Sequence, residues 1–313
     1  MSEQRAAPQI ETLPRRLFFS SLPTGDQEFS CFIRLQGGQA SDISMAGITW
    51  SIAERGAGRA RLAATRAISA EEAAAGRAFV SAVLPPGWHD SLLRVELQTN
   101  RQVYADQWPI ERYRQARAFQ LPLAGQILVL VGHRVGETHR AAWQIPSQQF
   151  AWDLLPLDPN GLRLLTGALA DPLLAQDFVG FGQAVLSPAA GRVARVADGY
   201  PDGAHVGAYP DDLRYYLEDL RRAAGNHVVV DHGDGVYSCL SHLQSGSIGV
   251  REQQVVEAGH VLGALGSSGF SSGPHLHLHF MDGPDMLTAA ALPIALEAEG
   301  STFAPQAGQI IGR

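Results

Sequence analysis

Apolar and polar side chains alternate most regularly over residues 274–280 of this chain, which read Pro-His-Leu-His-Leu-His-Phe. Successive side chains of a β-strand point to opposite faces of the sheet, so this segment predicts a strand with its leucines and Phe280 against a core. The other face then carries His275, His277 and His279. Three imidazoles on one face favour a metal, carboxylate or proton-transfer site, with a solvated polar face as the alternative.

The composition is that of a globular protein large enough for two domains: 313 residues, 45% hydrophobic and 18% charged. A net charge of −7 without any Lys/Arg run argues against a nucleic-acid partner. We expect no membrane span, because no stretch reaches about 18 apolar residues. The first residues lack the apolar core of a secretory signal peptide, which leaves open that the protein stays inside the cell, that a leader was removed, or that export takes another route. The compartment and the oligomeric state stay open.

Turn residues and strand-like segments divide the chain into four parts, and the predicted fold class is mainly β. Residues 1–15, which are polar and hold two prolines, predict a flexible arm. Short alternating segments over 16–118 predict a β-sandwich-like accessory domain. Residues 119–295 carry most of the histidines and predict an antiparallel β-sheet domain, with one inserted helix over 211–224 that begins at aspartates. Residues 296–313 are rich in glycine and alanine and predict a peripheral tail.

A hydrolytic zinc site needs three protein ligands and an open position for water. Asp153 is a candidate ligand, because it lies in the apolar and aromatic run Phe-Ala-Trp-Asp-Leu, where an uncompensated carboxylate is costly to bury. Coordination of a metal would remove that cost, and so would a hydrogen bond to the backbone or to an arginine. His139, upstream of the same run, is a candidate imidazole ligand.

Five segments of the second half, taken in order, resemble the lysostaphin-type (LytM-type) zinc metallopeptidases, the peptidoglycan endopeptidases with a duplicated hybrid motif. The resemblance covers roughly residues 125–295. The segments are Gln-Phe-Ala-Trp-Asp at 149–153, Gly-Asn-His-Val-Val-Val-Asp-His at 225–232, Ser-His-Leu at 241–243, a glycine-rich hairpin at 261–269 and Gly-Pro-His-Leu-His at 273–277.

The resemblance implies a Zn²⁺ cofactor bound by His139, Asp153 and His277, and cleavage of peptide bonds in peptidoglycan cross-links. It implies that His242 and His275 position or deprotonate the water and stabilise the oxyanion. It also implies an antiparallel β-sheet fold with the site in a groove. Members of the family usually act outside the cytoplasm, with a peptidoglycan peptide as the substrate.

The chain departs from the family pattern at three places near the expected metal, one of which is Leu240, where many members have a tyrosine. The inserted helix over 211–224 is also extra and is a candidate for one wall of the groove. Residues 140–152 separate His139 from Asp153, where the family has a much shorter spacing, so His133 is a rival ligand. His279 stands where the family commonly has Glu or Gln. Its ring can lie behind the ligands or face solvent.

Three other functions are weighed against the zinc endopeptidase. Some relatives are catalytically inactive regulators of other wall hydrolases, and these typically lose metal ligands, whereas every candidate ligand is present here. A cytosolic metallopeptidase with a non-wall substrate is the second alternative. Gly269–Gly273 fits the G-x-S-x-G pattern of serine hydrolases, but that pattern needs a following helix, and a strand is predicted instead.

Overall fold

The computed structural model describes residues 8–21, 26–36, 43–55, 62–86, 88, 91–141, 144–158, 160, 163–167, 171–209, 213–298 and 300–312. The predicted mainly β fold is confirmed in this part of the chain, which is built of mostly antiparallel strands and a few short helices. It forms two compact units that divide between Arg114 and Gln115, whereas the sequence places the boundary after residue 118. The earlier division follows the end of a long strand at Arg112.

The first unit is β-sandwich-like. Its elements are β1 (Gln9–Leu13), β2 (Leu17–Ser21), β3 (Gln27–Gln36), β4 (Met45–Glu54), β5 (Leu62–Ala67), α1 (Ala70–Ala75), β6 (Arg77–Leu84), β7 (Ser91–Thr99) and β8 (Val103–Arg112). One set of strands surrounds β3, which pairs with β1, β2 and β6, and the other set has the order β8-β7-β4-β5. A parallel pairing of β2 with β8 joins the two sets, and both contribute to one apolar core.

Strand β1 lies within the segment predicted to be a flexible arm. It pairs with β3 along its whole length, and Ile10 is buried in the core. The segment holds too few alternating apolar residues for its sequence to distinguish an edge strand from a loop. Only its pairing with β3 shows that it is a strand.

The second unit is also built of strands. They are β9 (Ile127–Val131), β10 (Trp152–Pro156), β11 (Ala184–Leu186), β12 (Gly191–Ala197), β13 (Asn226–Asp231), β14 (Tyr237–Leu243), β15 (Val255–Val256), β16 (Val261–Ala264), β17 (Leu276–Met281), β18 (Leu296–Ala298), β19 (Ser301–Phe303) and β20 (Ile310–Ile311). Eight of them form an antiparallel sheet in the order β15-β12-β13-β14-β17-β10-β9-β20. Two-stranded sheets, β11 with β16 and β18 with β19, accompany it.

The inserted helix is shorter than predicted. The α-helix α2 spans Leu213–Glu218, and a 3₁₀ helix, Leu220–Ala224, follows it. Asp219 interrupts the two with extended backbone, and its side chain accepts a hydrogen bond from the backbone N–H of Arg221. An aspartate in this role ends one helical segment and begins the next. Residues 211–212 lie outside the described part of the chain. The other 3₁₀ helices are Thr138–Ala141, Pro146–Phe150 and Ala175–Asp177.

The C-terminal segment is part of the second unit's sheet and core, which corrects the expectation of a peripheral tail. β20 pairs with β9, and Leu296 and Ile311 are buried. The glycine-rich composition of this segment suggests a loop, and its strands are too short to show a recognisable alternation in the sequence.

The middle strands of the large sheet are covered on both faces. Every residue of β10 and β17 is buried, so the histidine face of β17 is as enclosed as its leucine face. None of the helices in the described part of the chain has the length and apolar character needed to cross a membrane.

Candidate metal centre

Three adjacent strands carry the candidate residues to one place on the sheet. In the pairing of β10 with β17, Asp153 lies directly opposite His277. In the pairing of β17 with β14, Ser241 lies opposite His277, which puts His242 next to the same position. The 3₁₀ helix Thr138–Ala141 delivers His139 from outside the sheet.

His139, Asp153 and His277 converge into a group whose donor atoms all lie within 4.8 Å of one another. His139 Nε2 is 3.1 Å from Asp153 Oδ2, and His277 Nδ1 is 3.0 Å from Asp153 Oδ1. Their side chains are 14%, 12% and 3% exposed, so the group is sheltered yet reachable. Two imidazole nitrogens and one carboxylate oxygen are a donor set that suits a hydrolytic zinc site. The residues present therefore fit a single divalent metal ion.

His133, the rival ligand, lies elsewhere. Its ring packs against the indole of Trp152 with a centroid distance of 3.9 Å, and it is not part of the convergent group. Burial, together with the charge of Arg140, lowers the pKa of His133 to about 3, so this ring is neutral. The structure thus brings His139, and not His133, to Asp153.

The charge of Asp153 is held by its neighbours. Burial alone would raise its pKa, but the charges of His275 and His139, with hydrogen bonds from both, lower the pKa of Asp153 well below the ordinary value. The carboxylate is therefore ionised, as a metal ligand must be.

His242 is a neutral base with its free nitrogen available. Its Nδ1–H donates to the carbonyl oxygen of Ser268 (2.8 Å), which leaves an unprotonated Nε2. Burial, and then the charges of His275 and His277, lower the pKa of His242 well below its ordinary value. Its backbone is left-handed, with φ 62°, a conformation that a non-glycine residue adopts at a cost and that concentrates at functional sites.

His275 is held by the turn before β17. Its Nδ1–H donates to the carbonyl oxygen of Gly273 (2.8 Å), and the hydroxyl oxygen of Ser271 lies 3.3 Å away. Its Nε2 lies 3.5 Å from Asp153 Oδ1. Burial disfavours the charged ring, but the negative charge of Asp153 and the hydrogen bonds raise the pKa of His275 overall. Of the two histidines outside the convergent group, His242 is therefore suited to act as a base, whereas His275 binds a proton more readily than His242 does.

His279 lies behind His277, fully buried, so the solvent-facing interpretation is wrong. His279 Nδ1 is 3.1 Å from His277 Nε2, and His279 Nε2 is 3.2 Å from the hydroxyl of Ser147. Sequence reasoning did not single out Ser147. It lies in the 3₁₀ helix Pro146–Phe150, and no local pattern connects it to a strand so far along the chain.

A cavity of about 310 Å³ opens beside the centre, and His139, His242 and His277 form part of its wall. The rest of the wall is mostly apolar and comes largely from the α2 region and the segment 144–148. The sequence marks the inserted segment 211–224 as a candidate wall of the groove, but it does not identify the individual side chains. They are Thr138, Gln144, Ile145, Gln148, Tyr216, Leu217, Leu220, Ala223 and Phe270.

Comparison with known protein families identifies a part of the second unit. Residues 175–287 match the profile of "Peptidase family M23". The matched segment includes His242, His275 and His277, whereas His139 and Asp153 precede it. The place of those two residues at the centre therefore rests on the geometry described above.

Curated relatives match over part of the chain. An "Uncharacterized metalloprotease" of Haemophilus influenzae is 31% identical over 136 residues, which is 43% of this chain and 24% of the relative. A "DD-carboxypeptidase/endopeptidase Mpg" of Neisseria meningitidis serogroup B is 36% identical over 77 residues, 25% of this chain and 17% of the relative. The chain thus spans about a quarter or less of the length of these relatives.

Among solved structures, the catalytic domain of lysostaphin from Staphylococcus simulans is 19% identical, covers 38% of this chain and 78% of its own, and has a TM-score of 0.26. A putative peptidase M23 from Pseudomonas aeruginosa is 18% identical, covers 78% of this chain and 85% of its own, and has a TM-score of 0.29. Both likenesses are weak over the whole chain.

Proposed function

We propose that the second unit, whose residues 175–287 match the profile of peptidase family M23, is a zinc-dependent endopeptidase that hydrolyses peptide bonds of peptidoglycan cross-links. The convergence of His139, Asp153 and His277, with two further histidines beside them, carries the proposal. The relative named as a DD-carboxypeptidase/endopeptidase supports a wall peptide as the substrate. We assign the first unit as an accessory module.

Two neutral imidazoles and one carboxylate leave a bound Zn²⁺ with net positive charge, which lowers the pKa of water and polarises a peptide carbonyl. His242 accepts a proton from the attacking water at Nε2, because its other nitrogen is committed to Ser268. His275 presents Nε2 on the same side of the cluster. When protonated, it donates a hydrogen bond to the oxygen on which negative charge develops.

The intact set of donors favours an enzyme over an inactive regulator. A regulator needs no ionised carboxylate beside two imidazoles, and burying Asp153 in this way without a function would be costly. The strained backbone of His242 argues in the same direction, because its energetic cost needs a compensating role.

We expect the purified chain to bind one equivalent of Zn²⁺ and to release soluble peptides from purified peptidoglycan. Zinc content is measured by atomic emission, and released peptides by mass spectrometry, which also identifies the bond that is cut. Removal of the metal with a chelator should abolish release, and added Zn²⁺ should restore it, because the metal supplies the electrophile and the activated water. Zinc binding without cleavage of wall material would contradict the endopeptidase and favour a regulator. Cleavage of unrelated peptides alone would favour a non-wall substrate.

A further inference from the structure

We propose that the cavity beside the metal centre is a subsite for an apolar side chain of the peptide substrate, next to the bond that is cut. This inference rests on the proposed endopeptidase function and adds the substrate class. Three histidines of the centre line the cavity, so a peptide bond held near them places a neighbouring side chain inside it. Its volume of about 310 Å³ lies at the small end of ligand sites, which suits one side chain rather than a whole ligand.

The chemistry of the wall selects an apolar occupant. Apart from the histidines of the centre, its described residues carry no carboxylate, ammonium or guanidinium group. The polar ones are one threonine, two glutamines and Tyr216, whose hydroxyl is bonded to Gly269. Burial of an apolar side chain in this cavity is favourable, whereas a lysine or glutamate side chain would lose its hydration without gaining an opposite charge.

The apolar wall is held in place before a substrate arrives. Phe270 stacks on Tyr209 with a centroid distance of 4.3 Å and contacts Tyr216 edge-on at 5.3 Å. The hydroxyl of Tyr216 donates to the carbonyl oxygen of Gly269. Leu217, 62% exposed, and Phe270, 45% exposed, leave apolar surface uncovered at the rim. A substrate side chain that enters the cavity covers this surface.

Matched peptides test the subsite. They differ only in the residue beside the scissile bond (Leu, Gly or Lys), in one series on its N-terminal side and in another on its C-terminal side. In the series whose varied residue enters the cavity, we expect kcat/KM for the Leu peptide to exceed that for the Lys peptide about tenfold or more. Leu217→Asp should reduce this preference about fivefold or more, because it places a charge at the rim. Leu130→Asp is the matched control, since Leu130 is a similarly exposed leucine on β9 that does not line the cavity.

Equal cleavage of the Leu and Lys peptides in both series, or an unchanged preference in Leu217→Asp, would overturn the subsite. Equilibrium binding of the same peptides to the zinc-loaded protein separates this failure from a failure of the endopeptidase. If no peptide is cut but the Leu peptide still binds more tightly than the Lys peptide, the proposed reaction is wrong and the subsite stands.

A different observation carries a second inference: we infer that His279 and Ser147 are positioning residues that fix the tautomer of His277. In a chain of hydrogen bonds, an atom at one end that can only accept fixes which atom donates in every other bond of the chain. The carbonyl oxygen of Met286 can only accept, so the Ser147 hydroxyl donates to it (2.9 Å). The same hydroxyl oxygen is then an acceptor for His279 Nε2–H (3.2 Å).

The tautomer of His279 in turn fixes the tautomer of His277, the proposed metal ligand. A neutral imidazole carries one proton, so His279 Nδ1 is an acceptor, and it takes the proton of His277 Nε2–H (3.1 Å). His277 Nδ1 is therefore left with a lone pair, 3.0 Å from the ionised oxygen of Asp153. Two acceptors at this distance repel each other unless a cation binds both. The chain of Met286, Ser147 and His279 thus prepares Nδ1 of His277 for a metal ion.

Metal binding by the metal-free protein tests this role without reference to activity. We expect His279→Leu and Ser147→Ala to weaken Zn²⁺ affinity about 10- to 100-fold, the usual effect of losing a hydrogen bond behind a ligand. His279→Gln should stay within about threefold of the wild type, because its amide oxygen accepts from His277 and its amide nitrogen donates to Ser147. Affinity is measured by competition with a chelator of known strength.

The matched control is another buried His–Ser pair of the same sheet. His232 Nε2 lies 2.8 Å from the Ser238 hydroxyl, away from the metal group, so Ser238→Ala should leave Zn²⁺ affinity unchanged. ¹⁵N NMR of histidine-labelled, metal-free wild type should show His277 protonated at Nε2. Protonation at Nδ1, or wild-type affinity in Ser147→Ala, would overturn the inference. If His279→Leu does not fold, these two measurements still decide the question.

Discussion

Replacing His277 with alanine should remove the proposed metal and the proposed peptidase activity together. His277 lies opposite Asp153 in the register of β10 and β17, and no other described side chain can take its place in the convergent group. We expect zinc content to fall from one equivalent to well below one. Cleavage should fall by about four orders of magnitude or more, because the activated water and the electrophile are lost together.

The double variant Asp153→Ala, His139→Ala should have the same effect, and His133→Gln should keep both zinc and activity. His133 is the informative control, because it is a buried histidine close to the site that stacks on Trp152. Zinc content by atomic emission, with circular dichroism to verify folding, decides the matter. Stoichiometric zinc in the double variant would show that the ligand assignment is wrong, and loss of zinc in His133→Gln would point to the rival ligand.

The chemistry of the centre could be predicted from the sequence where local patterns carry it. Alternation alone places His277 and His279 on one strand face, although the structure puts His275 in the turn just before that strand. The apolar surroundings of Asp153 mark it as a carboxylate that needs a partner. Both patterns follow from the geometry of a single strand. The pairing that brings Asp153 opposite His277 is a property of the sheet, and only the structure shows it.

The choice between His133 and His139 could not be made from spacing. His139 lies within one 3₁₀ helix, and a second, Pro146–Phe150, precedes the strand that carries Asp153. Neither helix has a strong sequence signal, and short helices of this kind depend on tertiary packing. The same reason hides Ser147, which reaches His279 from a distant part of the chain.

The individual side chains of the apolar wall could not be identified from the sequence, although the inserted segment 211–224 is a candidate wall. That segment predicts one helix, but the break at Asp219 decides how Leu217 and Leu220 are presented to the cavity. Phe270 directly follows the glycine-rich hairpin at 261–269, and nothing local shows that its ring stacks on Tyr209. Contacts between distant segments, which determine specificity, are not encoded in periodicity.

Replacing His242 with alanine should separate catalysis from metal binding. His242 is outside the ligand group, and its Nδ1–H is committed to Ser268, so its loss removes a base without removing a ligand. We expect unchanged zinc content, a fall in kcat of about 10²- to 10⁴-fold, and little change in KM. Single-turnover cleavage of a matched peptide, measured beside zinc content, provides the readout. Wild-type kcat in this variant would exclude His242 as the base.

The backbone of His242 adds a test that a merely structural histidine would not pass. Its φ of 62° is unfavourable for alanine and tolerated by asparagine, so His242→Asn should be more stable than His242→Ala by about 1 kcal/mol. Both variants should be equally inactive, because neither side chain offers a base at the position of Nε2. Denaturant unfolding of the zinc-loaded variants gives the stability difference. A more stable asparagine variant that lacks activity would show that the strained conformation is kept for the imidazole it aims at the substrate. Recovered activity in either variant would show instead that the water loses its proton to another group.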